Sequence, residues 1–370
     1  MNSFKLRRKI DPIIPTIGIG LSIIGLVMIL SASQIIAAER FGDPYYFFVR
    51  QLISWVIGMA AFFYFSKVPL EKLFQWRNIL LIVSLVALVM VFLPFIGGKV
   101  NGVYRWVGVG PLTFQPSEFV KVFLIIYFAG LFAVKGEAIR SFSKGFLPFA
   151  LVLAAVTLLI GLGKDLDTLV AIAATSLIMF FVAKSRWWHT LLIVLVGAVA
   201  VGALILLEPY RAERLDVFLS NDVASRDIRD TGYHSQQALI AIGSGGMWGS
   251  GFGQGISKYK YLPESYTDSI FAVIAEELGF VRSAVILLAF LVVAWRGFIA
   301  ASLANSKFAQ LIAIGSSSLI IIQALINIGG MLNVIPLSGL PLPFVSYGGS
   351  ALIASLAILG LLTNISGERR

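Results

Sequence analysis

The sequence predicts an all-α fold, a polytopic membrane bundle of about ten transmembrane helices with a large extracytoplasmic loop between helices 7 and 8. Three observations predict it. Hydrophobic residues fill 58% of the 370 positions and charged residues only 13%, about half the charge of an ordinary soluble domain. Apolar runs near 20 residues recur from end to end, and about 20 helical residues cross a hydrocarbon core of ~30 Å. The runs are apolar on all sides, whereas barrel strands would alternate over about 10 positions. Lipid admits only helices or closed barrels.

Taken in order, the spans lie near 12–33, 47–66, 78–97, 116–134, 145–163, 167–184, 188–207, 269–295, 308–332 and 344–364. The first apolar run is too long for a signal-peptide core and lacks a cleavage site. Arg50 and Lys121 sit near the rims of the second and fourth spans. Basic residues recur on one side: Lys5, Arg7, Arg8 and Lys9; Lys67, Lys72 and Arg77; Lys135, Arg140 and Lys144; Lys184 and Arg186; Arg296 and Lys307; Arg369 and Arg370. The positive-inside rule therefore sets both termini in the cytoplasm and the loop at about 208–268 outside. That loop carries Arg211, Arg214, Arg226, Arg229, Lys258 and Lys260, but long loops translocate largely regardless of charge. Residues 1–370 read as one membrane domain.

The net charge of +10 divides between this topology and an outer basic set suited to an anionic substrate. The chain has no cysteine and only two histidines, His189 and His234. Disulfides, thiolate metal sites and cysteine nucleophiles are excluded, and a histidine cage for a metal is not expected. Nucleic acid is not an expected partner, because no basic patch sits on a soluble module.

Four constellations carry possible chemistry. In 258–279 the chain passes Glu264, Thr267 and Asp268 and then takes Glu276, Glu277 and Arg282 into an apolar helix. Thr267 or Asp268 makes a good N-cap. A cap does not explain two glutamates about 13 Å further along a helix expected to enter the membrane. Arg282 is positioned to neutralise one of them, as buried ions require. The run Gly243–Gly255 before it holds seven glycines in thirteen positions. It cannot be a stable helix, and reads as a turn-rich hairpin or a close backbone approach to a ligand. It is no dinucleotide fingerprint, and no organic cofactor is expected. Residues 234–242 read as a short surface helix.

The second constellation, 104–121, holds Arg105 and Trp106 in an outer loop and then Gln115-Pro-Ser-Glu118, a helix start. Glu118 and Lys121 share a helix face, either as a rim ion pair or with Lys121 holding a substrate anion that Glu118 helps orient. The third, Gly163-Lys-Asp-Leu-Asp-Thr168, is a tight outer turn in which Asp167 or Thr168 would cap the next helix. The fourth, Pro336–Ser350, has three prolines and several glycines. Broken backbone at membrane depth marks a cavity wall or a re-entrant segment, with Asn327 and Asn333 close in sequence.

Together these motifs resemble the shape, elongation, division and sporulation (SEDS) family, whose familiar members are FtsW and RodA. The resemblance covers nearly the whole chain. It rests on Arg105-Trp106, Gln115–Lys121, Asp165-Leu-Asp-Thr168, Gly232-Tyr233, Ala241–Gly246, Tyr261-Leu-Pro-Glu264, Thr267-Asp268, Ala275–Gly279 and Leu342–Ser350. The run Asp43–Gln51 resembles division members slightly more.

The resemblance implies a peptidoglycan glycosyltransferase that polymerises lipid II at the outer face of a bacterial cytoplasmic membrane. It implies a class B penicillin-binding protein and other division or elongation proteins as partners. It sets the family acid at Asp268 and marks Glu118 and Lys121. Arg105, Trp106, Gln115, Ser117, Asp165, Thr168, Glu264, Thr267, Glu276, Glu277, Ser346 and Tyr347 complete the expected substrate-contacting set. A divalent cation (magnesium or manganese) is a possible helper for the leaving diphosphate. The alternatives are a lipid II flippase, with Glu276, Glu277 and Arg282 on the headgroup path, and a membrane scaffold. The chain departs from the family's pattern at Lys164 and Asp167, oppositely charged and able to pair, and at His234, Tyr266, Ser269 and Arg282.

Overall fold

A computed structural model describes residues 10–94, 97–100, 103–109, 112–206, 218 and 231–368. The basic residues at 5–9, at 369–370 and at Arg211, Arg214, Arg226 and Arg229 lie outside the described residues.

The helices follow the hydropathy. They are α1 (Ile13–Phe41), α2 (Tyr46–Lys67), α3 (Leu70–Met90), α4 (Pro116–Lys135), α5 (Leu147–Leu162), α6 (Leu166–Val182), α7 (Trp187–Leu206), α8 (Thr231–Ser244), α9 (Ile270–Ser302), α10 (Lys307–Met331) and α11 (Gly349–Ser366). Among the described residues nine stretches are long and apolar enough to cross a membrane, and α6, at 17 residues, is the tenth, shorter one. This is a polytopic helical membrane protein. The short helix read at 234–242 is α8.

Centre and periphery are sharply distinguished. The apolar window of α11 is 83% buried and that of α10 78%, against 6% for α7. α11 packs on α2, α10 on α9, α6 and α4, and α3 on α4. The outer faces of α2, α3 and α7 carry bare Ile, Val and Leu side chains, which lipid rather than water must cover.

Two expectations are corrected. The third span was expected at 78–97, but α3 runs from Leu70 to Met90. Pro94 disfavours helix at Leu93, and the chain then turns into an antiparallel meander, β1 (Gly97–Val100), β2 (Val103–Val109) and β3 (Leu112–Phe114). Arg105 and Trp106 are therefore strand residues, with Trp106 opposite Gly98.

The second correction concerns α9, expected as one span into which Glu276 and Glu277 penetrate. It breaks at Gly279, where φ is 80° and ψ 176°, a conformation open essentially to glycine alone. In an intact helix the carbonyls of Glu276 and Glu277 would accept from Phe280 and Val281. Here Ser250 N–H donates to the Glu276 carbonyl (2.9 Å) and Gly251 N–H to that of Glu277 (3.0 Å). Phe280 N–H donates to Gly246 O (2.9 Å) and Val281 N–H to Met247 O (3.3 Å). The glycine-rich run thus takes up four of the backbone groups the break exposes, as a low-dielectric setting demands.

The break also sets depth. Glu277 reaches Ser31 of α1 (2.8 Å), and Arg296 reaches Asp11 (2.7 Å). Those anchor points are 20 residues apart along the first span, roughly 30 Å at 1.5 Å per residue. Glu277 and Arg296 are therefore separated along the first span by about the ~30 Å thickness of a hydrocarbon core. Asp11 N–H also donates to Ser366 Oγ (3.2 Å), so both ends of the described chain lie on one side.

A Cβ at Gly279 would collide with the backbone of Trp248 and Gly249. Gly279→Ala is expected to cost at least the ~1–3 kcal/mol of such a strained residue and to lower the melting midpoint in detergent. An unchanged midpoint would contradict the break.

Candidate functional site

The N-terminal ends of α4, α6 and α11 and the irregular segment 332–348 converge on one region. α4 starts at Pro116, tolerated in the first turn because its missing N–H is an orphan there anyway. Ahead of it, Gln115 N–H donates to Ser350 Oγ at the start of α11 (3.0 Å). Gln115 Nε2 donates to Asp165 Oδ2 (3.1 Å), and Ser117 Oγ donates to the same oxygen (3.3 Å). Arg105 of β2 faces Asp165 Oδ1 at 3.7 Å and donates to the Lys164 carbonyl. Arg105, Gln115, Ser117 and Asp165 are thus one cluster, and the buried Arg105 Nε has no partner among the described residues. An apolar hollow lined by Leu88, Phe92, Leu159 and Ile160 opens beside Arg105 and Asp165.

One turn into α4, Lys121 Nζ donates to Glu118 Oε1 at 2.7 Å, and both residues are 3% exposed. An ammonium has three donors, and among the described residues Glu118 is the hydrogen-bond partner recorded for Lys121. A buried ion pair with spare donors suits an anion that arrives with the substrate.

Two residues beyond Asp165, Asp167 Oδ2 accepts Gly339 N–H (2.9 Å). Asp268 comes to the same point from the loop before α9. A Cβ at Gly339 would stand 3.3 Å from Asp268 Oδ2 and 3.5 Å from Asp167 Oδ2. Asn327 of α10 binds the arrangement together, its Nδ2 donating to the carbonyls of Asp268 (2.8 Å) and Leu340 (2.7 Å). The first turn of α6 therefore links the Arg105–Asp165 cluster to the Asp268 carboxylate.

Segment 332–348 closes this region from within. A Cβ at Gly25, midway along α1, would press on the backbone of Phe344 and Val345, so the segment re-enters the bundle before α11 begins. Ser346 Oγ accepts Leu342 N–H (2.8 Å), and Gln51 of α2 holds Ser346 O (3.2 Å) and Gly348 N–H (3.1 Å). Tyr347 N–H donates to Tyr266 O (2.9 Å), and the two rings pack on Phe47. Burial, then the Glu264 carboxylate, push the Tyr266 phenol up to about 12, so it stays neutral at physiological pH.

The remaining candidates fall elsewhere. Thr267 Oγ1 donates to Glu264 Oε2 (2.8 Å) and shapes the turn before Asp268. Thr168 is buried on α6, and Trp106 is half-buried on β2. Glu276 and Glu277 clamp the glycine-rich run. Glu276 Oε1 accepts Ile256 N–H (2.7 Å) and Ser257 N–H (3.2 Å), while Glu277 accepts Gly253 N–H (3.0 Å) and the Lys258 ammonium (2.8 Å).

The cation beside Glu277 is Lys258, not Arg282, as sequence proximity led us to expect. Arg282 donates to the carbonyls of Trp248 (3.1 Å) and Leu278 (3.4 Å). Lys258→Met would leave the Glu277 charge buried without its cation, a change of about 3–5 kcal/mol. It is expected to lower the melting midpoint and to open the 245–260 run to protease. Wild-type resistance would contradict the clamp.

Sequence reasoning passed over Gln51 and Ser31, noted Asn327 only as close to the broken segment, and read Lys258 only as an outer-loop charge. An asparagine and a glutamine in otherwise apolar spans were the available signal.

Fold and site define a polytopic membrane protein with a cluster of charged and polar side chains gathered where the first turns of α4, α6 and α11 meet a re-entrant segment. The comparisons give the family. The model of the FtsW/RodA/SpoVE family, described as cell cycle protein, matches residues 12–370, and the chain belongs to it. The chain is 38% identical over 347 residues to stage V sporulation protein E of Bacillus subtilis, covering 94% of each. It is 40% identical over 364 residues to the probable peptidoglycan glycosyltransferase FtsW of Halothiobacillus neapolitanus, covering 97% of this chain and 87% of that one. Among solved structures it is similar to the rod shape determining protein RodA of Thermus thermophilus (TM-score 0.71, 26% identity, 98% of each chain). It is also similar to a chain from "Structural coordination of polymerization and crosslinking by a peptidoglycan synthase complex" (TM-score 0.78, 26% identity, 97% of this chain and 98% of that one).

Proposed function

We propose that the chain is a peptidoglycan glycosyltransferase that polymerises lipid II at the outer face of a bacterial inner membrane, with both termini cytoplasmic. The observation that carries this reading is the convergence of the Asp268 carboxylate with the α6 turn that bears the Arg105–Asp165 cluster. An acceptor hydroxyl of one saccharide attacks the anomeric carbon of another. The C–O bond to the polyprenyl diphosphate breaks, and the hydroxyl proton passes to Asp268 as general base. A single in-line displacement inverts the anomeric carbon. Negative charge grows on the leaving diphosphate and calls for fixed cations. Arg105, whose Nε has no partner among the described residues, and Lys121, with spare donors, supply them.

Among the described residues no group of three or more His, Cys, Asp or Glu is gathered to hold a metal. Magnesium commonly uses only one or two carboxylates together with substrate phosphates. A cation carried in on the substrate phosphates would add positive charge at the leaving group. The partner we propose is a class B penicillin-binding protein, acting with other division or elongation proteins. It is supported by the likeness to a chain of a peptidoglycan synthase complex.

A flippase would need Glu276, Glu277 and Arg282 to line a headgroup path, yet backbone N–H groups of 253–257 and Lys258 engage the two carboxylates, and Arg282 donates to the Trp248 carbonyl. The purified full chain, alone and with a class B penicillin-binding protein, should convert lipid II to glycan strands. Absence of polymer in both settings would refute the reading.

A further inference from the structure

We infer that Asp167 is a positioning residue for the Asp268 carboxylate, acting through the backbone of Gly339. The inference rests on the proposed role of Asp268 as general base. Three contacts carry it. Asp167 Oδ2 takes the Gly339 N–H at 2.9 Å, tying segment 338–340 to the first turn of α6. The other side of that segment is tied to the peptide of Asp268, because Asn327 Nδ2 bridges the carbonyls of Leu340 (2.7 Å) and Asp268 (2.8 Å). The Gly339 Cα lies against the Asp268 carboxylate so closely that an added methyl would stand 3.3 Å from its Oδ2. Ser338 Oγ, accepting Leu340 N–H at 3.1 Å, stiffens the segment between these ties.

Segment 338–340 is therefore packed against two acids. α6 holds it through Asp167, and its Gly339 Cα limits how far the Asp268 carboxylate can swing. A carboxylate in the first turn of α6 could serve only the helix dipole, but that role needs no contact with a segment some 170 residues away in sequence. Releasing the segment would let the base drift, and displacements near 1 Å can cost about a hundredfold in rate.

The test is steady-state polymerisation of lipid II by the full chain, under whichever of the two conditions above gives polymer. Asp167→Ala should lower kcat by roughly 10- to 100-fold with KM held within about twofold. Asp167→Asn keeps an oxygen for the Gly339 N–H and should retain most of kcat. Gly339→Ala, which leaves Asp167 in place, should reproduce the kcat loss at unchanged KM. It also decides the matter if Asp167→Ala does not fold. Wild-type kcat in Asp167→Ala or Gly339→Ala, a loss expressed in KM, or Asp167→Asn as damaged as Asp167→Ala would each overturn the inference. Asp268→Asn is run alongside. If it polymerises like wild type, the role of Asp268 itself fails; if it is silent while Asp167→Ala is fully active, only the role of Asp167 fails.

Discussion

Asp268→Asn should fold, insert and melt like wild type while losing about 10²–10⁴ of its lipid II polymerisation rate, the range a positioned general base supplies. The fold is expected to survive because the backbone, not the side chain, of Asp268 is held by Asn327. An amide fills the space beside Gly339 as well as a carboxylate does. What the amide lacks is the capacity to take a proton from the acceptor hydroxyl. The loss should therefore appear in kcat, with the substrate still bound through Arg105 and Lys121. Polymer at the wild-type rate from the purified variant would remove Asp268 as the base.

The second large effect separates binding from architecture at Glu118 and Lys121. Removing either partner alone strands a buried charge, at a cost of about 3–5 kcal/mol. Glu118→Leu and Lys121→Met should each melt well below wild type. The double variant should regain most of that stability, since apolar replacement of a buried ion pair is often neutral or favourable. Activity should not return with it, because the ammonium donors not used by Glu118 are the ones assigned to the diphosphate. A double variant that both melts and polymerises like wild type would reduce the pair to a structural role. The comparison needs only the melting midpoint and the rate of strand formation.

Much of the fold was legible because hydropathy alone dictates it. A run of about 20 apolar residues has one stable solution in lipid, and the helices appear where such runs lie. The meander at 97–114 was less legible, since two of its strands are very short and an outer loop accounts for the same composition. The break in α9 was hidden for a different reason. Glycine is common in transmembrane helices, and Gly279 becomes a break only because Gly246, Met247, Ser250 and Gly251 are folded beside it to take its backbone bonds. The same non-local packing set Lys258, rather than Arg282, against Glu277.

In the site, the motifs that carry the family resemblance marked Arg105, Gln115, Ser117, Glu118, Lys121, Asp165 and Asp268, and the structure clusters Arg105, Gln115, Ser117 and Asp165. Asp167 was read as a helix cap because its position in the first turn of α6 explained it locally. Its contact with Gly339 spans two distant segments and leaves no trace in the spacing.

The most direct measurement places the purified full chain in sealed proteoliposomes of known orientation, with lipid II supplied only to the leaflet that the outer loop faces. Glycan strands are expected on that side and none when lipid II is confined to the opposite leaflet. Unpolymerised lipid II crossing between leaflets, with no strands on either side, would contradict the proposed function.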